Sequence, residues 1–184
     1  MTIDFKKTHR VLYTATAKPS FVDVPELPFL MVDGTGDPRE AAYRTAVEAL
    51  YGTAYRIRFA LKKTGLVYTV PPLQGLWTDV GDGLGDRSAW KWTMLLMQPP
   101  EVTGELLGDA GPVRLTRFRE GASAQVLHVG PYHEETATIS RLLEHVRDHG
   151  RRATGRHHEI YLSNPSRTAP DKLKTIIRYG VSAG

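Results

Sequence analysis

DPRE (Asp37–Glu40) begins the first of two helices that the sequence predicts, and GPYHEE (Gly130–Glu135) begins the second. Proline fits the first position of a helix because its missing N–H would have no partner there, and acidic residues are favourable at the positive helix end. Pro38 and Pro131 lie 93 residues apart, which is about half of the 184-residue chain. This spacing indicates that one structural unit occurs twice.

Apolar residues continue each helix start at helical spacing. Tyr43, Val47 and Leu50 follow the first start, and Leu142 and Val146 follow the second. Apolar segments on either side of the helices are typical of strands. The predicted strands are Glu26–Asp33, Leu66–Val70, Leu73–Trp77, Trp90–Met97, Val113–Arg119, Ala122–Val129, His157–Leu162 and Thr175–Val181.

The order of these segments predicts an α+β fold with duplicated strand–helix–strand–strand units. We expect residues 1–23 to be an N-terminal extension and residues 24–184 to be one domain, with repeats at about 24–98 and 113–184. Two such units form a pseudo-dimer with a central cleft. A ligand pocket is expected in that cleft.

Composition and charge narrow the function classes. The chain has no cysteine, which excludes disulfides, thiolate metal sites and a cysteine nucleophile. No apolar run approaches the ~20 residues that span a bilayer, and no apolar signal core begins the chain, so we expect a cytoplasmic protein without membrane contact.

The net charge is +4, and residues 141–184 carry nine basic and four acidic side chains. No nucleic-acid-binding signature accompanies these basic residues, so a solvated surface is favoured over a nucleic-acid surface.

Two candidate motifs do not predict a site. The glycine-rich stretch Asp79–Asp86 lacks the spacing of a phosphate loop or a calcium loop, and it predicts a surface loop, Asp79–Ser88, inserted in the first repeat. His145 and His149 share one helix face, but two ligands do not make a metal site. The sequence therefore predicts no metal and no cofactor.

Glu159 is the strongest candidate for chemistry. Side chains alternate along a strand, so Ile160 lies on one face and Glu159 and Tyr161 lie on the other. If Ile160 faces the core beneath the helices, Glu159 faces the other side, into the cleft. An ionised carboxylate in an apolar strand needs a partner. A ligand, a hydrogen-bonding tyrosine and a protein cation such as Arg156 or Arg178 are all open as that partner.

Aromatic residues can supply the walls of such a site. Trp90 and Trp92 lie on one strand face with Met94, and the 93-residue offset carries Tyr68 onto Tyr161. A carboxylate walled by rings suits a flat, lipophilic cation, since ring faces attract positive charge. The competing interpretation is that the rings belong to the core. The candidate ligand-binding residues are Glu159, Tyr161, Trp90, Trp92, Tyr132, Tyr68, Met94 and Trp77.

Five stretches together resemble a known family. They are LPFLMVDGTGDP (Leu27–Pro38), PLQGLW (Pro72–Trp77), WKWTMLLMQP (Trp90–Pro99), HVGPYHEE (His128–Glu135) and HHEIYLSNPSRTAPDKLKTIIRY (His157–Tyr179). From about Val24 to Val181, the chain resembles stand-alone proteins with a GyrI-like small-molecule-binding domain.

The resemblance implies the duplicated fold and a central pocket for hydrophobic, often cationic compounds. The family's pocket acid corresponds to Glu159, and its aromatic walls correspond to Trp90, Trp92, Tyr132 and Tyr161. Related domains are the ligand-sensing parts of multidrug-responsive transcription activators. Some stand-alone relatives are hydrolases that open cyclopropane rings of genotoxic, DNA-alkylating natural products, using an acid and an aromatic residue. Glu159 and Tyr161 would be the catalytic residues of a hydrolase here.

The sequence departs from the family at Gln74, because the family commonly has PLEGLW. Loss of that acid weakens the hydrolase interpretation more than the binding interpretation. The N-terminal extension is too short for a DNA-binding domain with its linker, so we do not expect a two-part activator.

Three hypotheses follow in order of support. The first is a module that binds, sequesters or senses hydrophobic or cationic aromatic molecules. The second is a hydrolase with Glu159 as general base. The third is an inhibitor of another protein, for which the sequence locates no surface. We therefore expect small ligands as partners, with no nucleic acid and no obligate protein partner.

Overall fold

The computed structural model describes residues 2–78 and 86–183, and most of the predicted surface loop Asp79–Ser88 lies outside these residues. The strands are β1 (Thr2–Ile3), β2 (Ser20–Thr35), β3 (Val67–Tyr68), β4 (Gln74–Thr78), β5 (Lys91–Met97), β6 (Arg114–Val129), β7 (Arg151–Tyr161) and β8 (Lys174–Ala183). The α-helices are α1 (Phe5–Thr8), α2 (Ala41–Lys63), α3 (Gly104–Leu107) and α4 (Thr136–Asp148).

Six antiparallel strands close into a barrel in the order β2-β5-β4-β7-β8-β6. The short strands β1 and β3 pair in parallel as a separate sheet. The fold is therefore a mixed α/β fold built on an antiparallel sheet. Across residues 2–78 and 86–183, no helix has both the length and the apolar character that crossing a membrane requires.

Both helices begin later than the proline patterns predict. Asp37 accepts a hydrogen bond from the backbone N–H of Arg39 at 2.9 Å and also pairs with the Arg39 guanidinium. The acid thus closes a turn ahead of the helix, and α2 begins at Ala41. At the second predicted helix start, Tyr132–Glu134 forms a single 3₁₀ turn, and α4 begins at Thr136.

The strand register places Glu159 on the face of the sheet that α4 covers. Glu159 pairs with Ile177, and cross-strand partners in an antiparallel ladder project to the same face. Ile177 packs in one cluster with Leu142 and Val146 of α4. The prediction that Ile160 faces the helices and Glu159 faces away from them was therefore wrong. Both faces of β7 are covered, so alternation alone could not distinguish them.

The inner face of the barrel holds a buried polar network. Nδ1 of His158 lies 3.0 Å from both carboxylate oxygens of Glu120, and Nη1 of Arg178 lies 3.5 Å from Oε2 of Glu120. Arg178 also donates to Oε1 of Gln125 and, at 2.7 Å, to the carbonyl oxygen of Leu12. Arg178 is only 2% exposed, which corrects the assignment of this arginine to a solvated basic face.

The described part of the N-terminal extension packs against this network. Phe5, Leu12 and Tyr13 are buried in the main core. The side-chain amide of Gln125 donates to the carbonyl oxygens of Val11 and Thr14. The residues before β2 therefore contribute to the packed body of the protein.

Replacing Glu120 with glutamine should lower the free energy of unfolding by about 3–5 kcal/mol, because it leaves the Arg178 charge buried without its counter-ion. Urea denaturation measures the change. E26Q is the control: Glu26 pairs with Arg117 at the surface, so its loss should cost no more than about 1 kcal/mol. Equal losses in the two variants would contradict the structural role of the network.

The same variant tests the pH dependence of stability. Burial alone would raise the pKa of Glu120, but the ion pairs with His158 and Arg178 outweigh it and hold the pKa below its ordinary value near 4.5. A depressed carboxyl pKa contributes stability above the ordinary value, and this contribution is lost as the pH falls through the folded-state pKa. E120Q should therefore show a shallower loss of stability below about pH 4.5 than the wild type.

Candidate functional site

Four polar residues meet on the helix-covered face of β7, where we define the carboxyl cluster as Glu135, His157, Glu159 and Tyr161. His157, Glu159 and Tyr161 alternate along β7, so the two-residue period of the strand gives them a common face. Nε2 of His157 lies 2.8 Å from Oε1 of Glu159, and the Tyr161 hydroxyl donates to Oε2 of Glu159 at 2.5 Å. Glu135, which directly precedes α4, places Oε2 at 3.8 Å from Nε2 of His157.

A second layer of contacts orients the cluster. The Tyr179 hydroxyl lies 2.7 Å from Nδ1 of His157. Nε1 of Trp77 donates to the Tyr161 hydroxyl at 3.1 Å. Both carboxylate oxygens of Glu159 therefore have partners whose own positions are held by further hydrogen bonds.

Gly75 makes room for this arrangement. It lies directly across from Glu159 in the β4–β7 ladder. A Cβ at this position would lie 2.6 Å from Nε1 of Trp77 and 3.0 Å from the Tyr161 hydroxyl. Only glycine leaves space for the Trp77–Tyr161 hydrogen bond over the strand.

Aromatic rings extend outward from the cluster. Tyr43 of α2 stacks on Trp77 with ring centroids 6.1 Å apart and meets Trp92 edge-on at 5.1 Å. Trp90 meets Trp77 edge-on at 6.0 Å. On the other side, Tyr132 meets Tyr161 edge-on at 5.8 Å.

The site lies close to the surface but is largely enclosed. The side chains of Glu135, His157 and Glu159 are 6%, 9% and 13% exposed. Tyr132 is 40% exposed and forms the rim. The first turn of α2 and the residues that lead into α4 thus border a nearly buried pair of carboxyl groups.

The electrostatics separate the two carboxyl groups. Burial alone would raise the pKa of Glu159, but hydrogen bonds from His157 and Tyr161 lower it below its ordinary value. Burial, and then the charge of Glu159, raise the pKa of Glu135 well above its ordinary value. Burial alone would lower the pKa of His157, but the two glutamates raise it well above its ordinary value. These shifts favour the ionised form of Glu159 and the protonated forms of His157 and Glu135.

The cluster also has the donor types of a metal site. One donor atom from each of Glu135, His157 and Glu159 can be chosen so that all three lie within 4.8 Å of one another. Binding a metal there would require Nε2 of His157 to give up its hydrogen bond to Glu159. The histidines considered in the sequence, His145 and His149, instead lie with ring centroids 4.2 Å apart beside Phe21.

The structure brings six of the eight candidate ligand-binding residues into one connected group of contacts: Glu159, Tyr161, Trp77, Trp90, Trp92 and Tyr132. Met94 is fully buried behind this group and pairs with Gly75 across the β4–β5 ladder.

Tyr68 is not brought into this group by its described contacts. It is fully buried, meets Phe5 edge-on and donates to Gln98. Tyr68 belongs to β3, in the small parallel sheet, whereas Tyr161 belongs to the barrel. The proposed equivalence of Tyr68 and Tyr161 was therefore wrong.

Neither arginine proposed as a partner of Glu159 takes that role in the described contacts. Arg178 binds Glu120 on the inner face, and Arg156 donates to Thr93 at 2.7 Å.

Gln74, at the position where the family commonly has an acid, also lies on the inner face. It is 3% exposed and contacts His158 and Tyr13. The replacement of the family's acid by Gln74 therefore does not remove a direct contact of the carboxyl cluster.

Sequence reasoning missed Glu135, His157 and Tyr43. The two-residue period of β7 could have identified His157, which stands two positions before Glu159. Glu135 had been interpreted as a first-turn acid, and Tyr43 as a core position of α2. Only the packing of the helices over the sheet brings these two residues to the site.

Comparison with known proteins identifies a family. Residues 17–180 match the GyrI-like small molecule binding domain. No protein with curated annotation matches the chain.

Two solved structures from Listeria innocua are similar over nearly the whole chain. An uncharacterized conserved protein is 41% identical, with a TM-score of 0.92, over 98% of this chain and 100% of its own. A hydrolase is 39% identical, with a TM-score of 0.92, over 99% of this chain and 100% of its own. The C-terminal domain of EcmrR shares the fold at 14% identity, with a TM-score of 0.59, over 90% of this chain and 98% of its own.

Replacing Gly75 with alanine should displace the Trp77 indole, shift the tryptophan emission and lower the free energy of unfolding by about 1–3 kcal/mol. Fluorescence-monitored urea denaturation measures both effects. G52A is the control, because a Cβ at Gly52 of α2 meets nothing within 4 Å. G52A should stabilise the protein by about 0.5–1 kcal/mol through helix propensity. A stable G75A variant with unchanged emission would contradict the packing at the site.

Proposed function

Because the chain belongs to the GyrI-like small molecule binding domain family, we propose that it binds hydrophobic, often cationic aromatic small molecules at the carboxyl cluster. The observation that carries the proposal is the pairing of Glu159. Its side chain is 13% exposed, and its described ion pair is with a histidine rather than with a lysine or an arginine. A ligand cation bound beside Glu159 would supply a counter-charge for the neighbouring Glu135, whose pKa is raised by burial and by the charge of Glu159.

The aromatic rings around the cluster support this ligand class. Ring faces attract cations, and rings stack on flat ligands. Tyr132 is exposed at the rim, and its ring meets that of Tyr161, which lies beside Glu159. We therefore assign ligand contact to Glu159, Tyr161, Tyr132 and Trp77, with Trp90 and Trp92 supporting Trp77.

We further propose that the fold is a duplicated strand–helix–strand–strand unit whose cleft is this site. Exchanging β2 with β6, β5 with β8 and β4 with β7 reproduces the cyclic strand order of the barrel, as a two-fold relation between repeats would. One helix, α2 or α4, belongs to each unit. The domain 24–184 then contains two repeats, at about 24–98 and 113–184. The site lies where the two units meet, along the β4–β7 pair.

A second candidate function is hydrolysis of a strained, electrophilic ring. The similarity to the Listeria innocua hydrolase over nearly the whole chain favours it. In this mechanism a water oxygen attacks a cyclopropane carbon while Glu159 takes the water proton. The electrons of the broken carbon–carbon bond move into the conjugated carbonyl group, which then gains a proton. The Tyr161 hydroxyl already donates to Glu159 and orients it, so Tyr132 is the proposed donor to the developing negative charge.

A fluorescent aromatic cation should quench the tryptophans with micromolar affinity, and E159Q should weaken its binding about tenfold to hundredfold, because a charge-assisted contact is lost. Fluorescence titration measures the affinity. A neutral ligand of the same ring structure should lose far less. Equal losses for the cationic and the neutral ligand would rule out the electrostatic role of Glu159.

Incubation with a spirocyclopropane alkylator should give the ring-opened, water-added product if the second candidate is correct, and E159Q should abolish this turnover. Mass spectrometry detects the product. E134Q is the control, because the neighbouring Glu134 side chain is 64% exposed. Turnover no faster than in buffer would leave binding as the only proposed function.

A further inference from the structure

Glu135 carries a buried oxygen atom that has no partner among the described residues. Its Oε1 atom is inaccessible to solvent and has no hydrogen-bond partner, and the whole side chain is only 6% exposed. The other carboxyl oxygen, Oε2, faces Nε2 of His157 at 3.8 Å, beyond hydrogen-bond distance. A buried acceptor without a donor is costly, so an outside donor that reached Oε1 would be favoured.

The protein does not supply enough positive charge to hold both carboxyl groups of the cluster in their ionised forms. Two carboxyl groups, Glu135 and Glu159, share one protein cation, His157. Burial, and then the charge of Glu159, raise the pKa of Glu135, so its ionised form lacks a counter-charge. Burial, and then the charge of Glu159, raise the pKa values of Tyr132 and Tyr43. Both tyrosines are neutral and supply no positive charge.

The geometry points to a two-carboxylate site for planar aromatic cations that carry N–H donors, such as arylamidinium or arylguanidinium groups. One N–H group would reach Oε1 of Glu135, and the charge would lie between Glu135 and Glu159. This inference rests on the proposed function, namely that the carboxyl cluster is the ligand site, and it adds a choice among cations. Quaternary ammonium and phosphonium cations have no N–H, so they would leave Oε1 of Glu135 without a donor.

The hydrogen bonds of His157 favour an organic cation over a metal ion. Its Nδ1 lies 2.7 Å from the Tyr179 hydroxyl, and its Nε2 lies 2.8 Å from Oε1 of Glu159. This pattern suits a doubly protonated imidazolium, whereas a metal would need the Nε2 lone pair. An N–H cation bound to Oε1 of Glu135 would not require His157 to give up either contact.

The surrounding rings favour a flat head group. Tyr132 and Tyr161 meet edge-on, and Tyr43 stacks on Trp77. The Trp77 indole also occupies the space above Gly75, as the close approach of Nε1 shows. A planar amidinium conjugated to its ring fits between such walls better than a tetrahedral cation, whose substituents project in four directions.

The test compares two probes with the same rings and the same charge, biphenyl amidinium and biphenyl trimethylammonium, by isothermal titration calorimetry. Wild-type protein should bind the amidinium about tenfold or more tightly, since a hydrogen bond to a charged group is lost with the other probe. E135Q should remove most of this preference, because a neutral amide replaces the carboxylate. E134Q should retain it, because Glu134 is exposed on the same turn.

The possible failures are distinguishable. If both probes bind the wild type equally well and both weaken in E159Q, the choice among cations is overturned while the proposed function stands. If neither probe binds, both proposals are overturned. A preference that survives in a folded E135Q variant, checked by its circular dichroism spectrum and urea denaturation, would also overturn the role of Glu135.

Discussion

The pairing of β4 with β7 is the constraint on which the rest of the structure depends. It closes the barrel between the two halves of the chain, and it sets Gly75 across from Glu159. A shift of one residue would exchange the two faces of β7, moving Glu159 inside the barrel and His158 outside it. Because Gly75 has no Cβ, the Trp77 indole can lie over this position of the strand and reach the Tyr161 hydroxyl. Barrel closure and site geometry therefore depend on the same few residues.

Two polar networks lie back to back on neighbouring residues of β7. On the inner face, Glu120 contacts both His158 and Arg178. Arg178 also donates a hydrogen bond to the carbonyl oxygen of Leu12 in the N-terminal segment. On the outer face, Glu159 is matched only by His157 among the described ion pairs. The inner network pairs each charge within the protein, whereas in the outer one Oε1 of Glu135 has no hydrogen-bond partner among the described residues. This difference is the reason for proposing the ligand site at the outer network.

Local signals in the sequence predicted the elements well. Proline followed by acids marked both helix starts to within a few residues, and the period of two identified the aromatic strand that carries Trp92. Glu159 could be selected because a charge in an apolar strand requires a partner. The resemblance of five stretches to the GyrI-like family is confirmed by the match over residues 17–180.

The failures of sequence reasoning share one cause, which is that contacts between distant elements carry no local signal. Alternation separated Glu159 from Ile160 but could not say which face the helices cover, because both faces of β7 are buried. A constant offset of 93 residues linked Tyr68 to Tyr161, but β3 belongs to the two-stranded sheet, whereas β7 belongs to the barrel. Glu135 fitted the pattern of a helix start, and that pattern gave no indication that it lies beside His157.

Glu135 shows why the outer cluster is difficult to explain by stability alone. A buried carboxyl group beside another carboxyl group adds desolvation and repulsion, and buried ion pairs contribute little net stability even when they are complete. An apolar side chain there would cover the sheet at lower cost. The 3₁₀ turn at Tyr132–Glu134 nevertheless directs Glu135 inward, while its neighbour Glu134 is directed to solvent. The local backbone thus holds a buried carboxyl group beside Glu159 at a cost in stability, and the proposed binding of a cation beside Tyr132 would offset that cost.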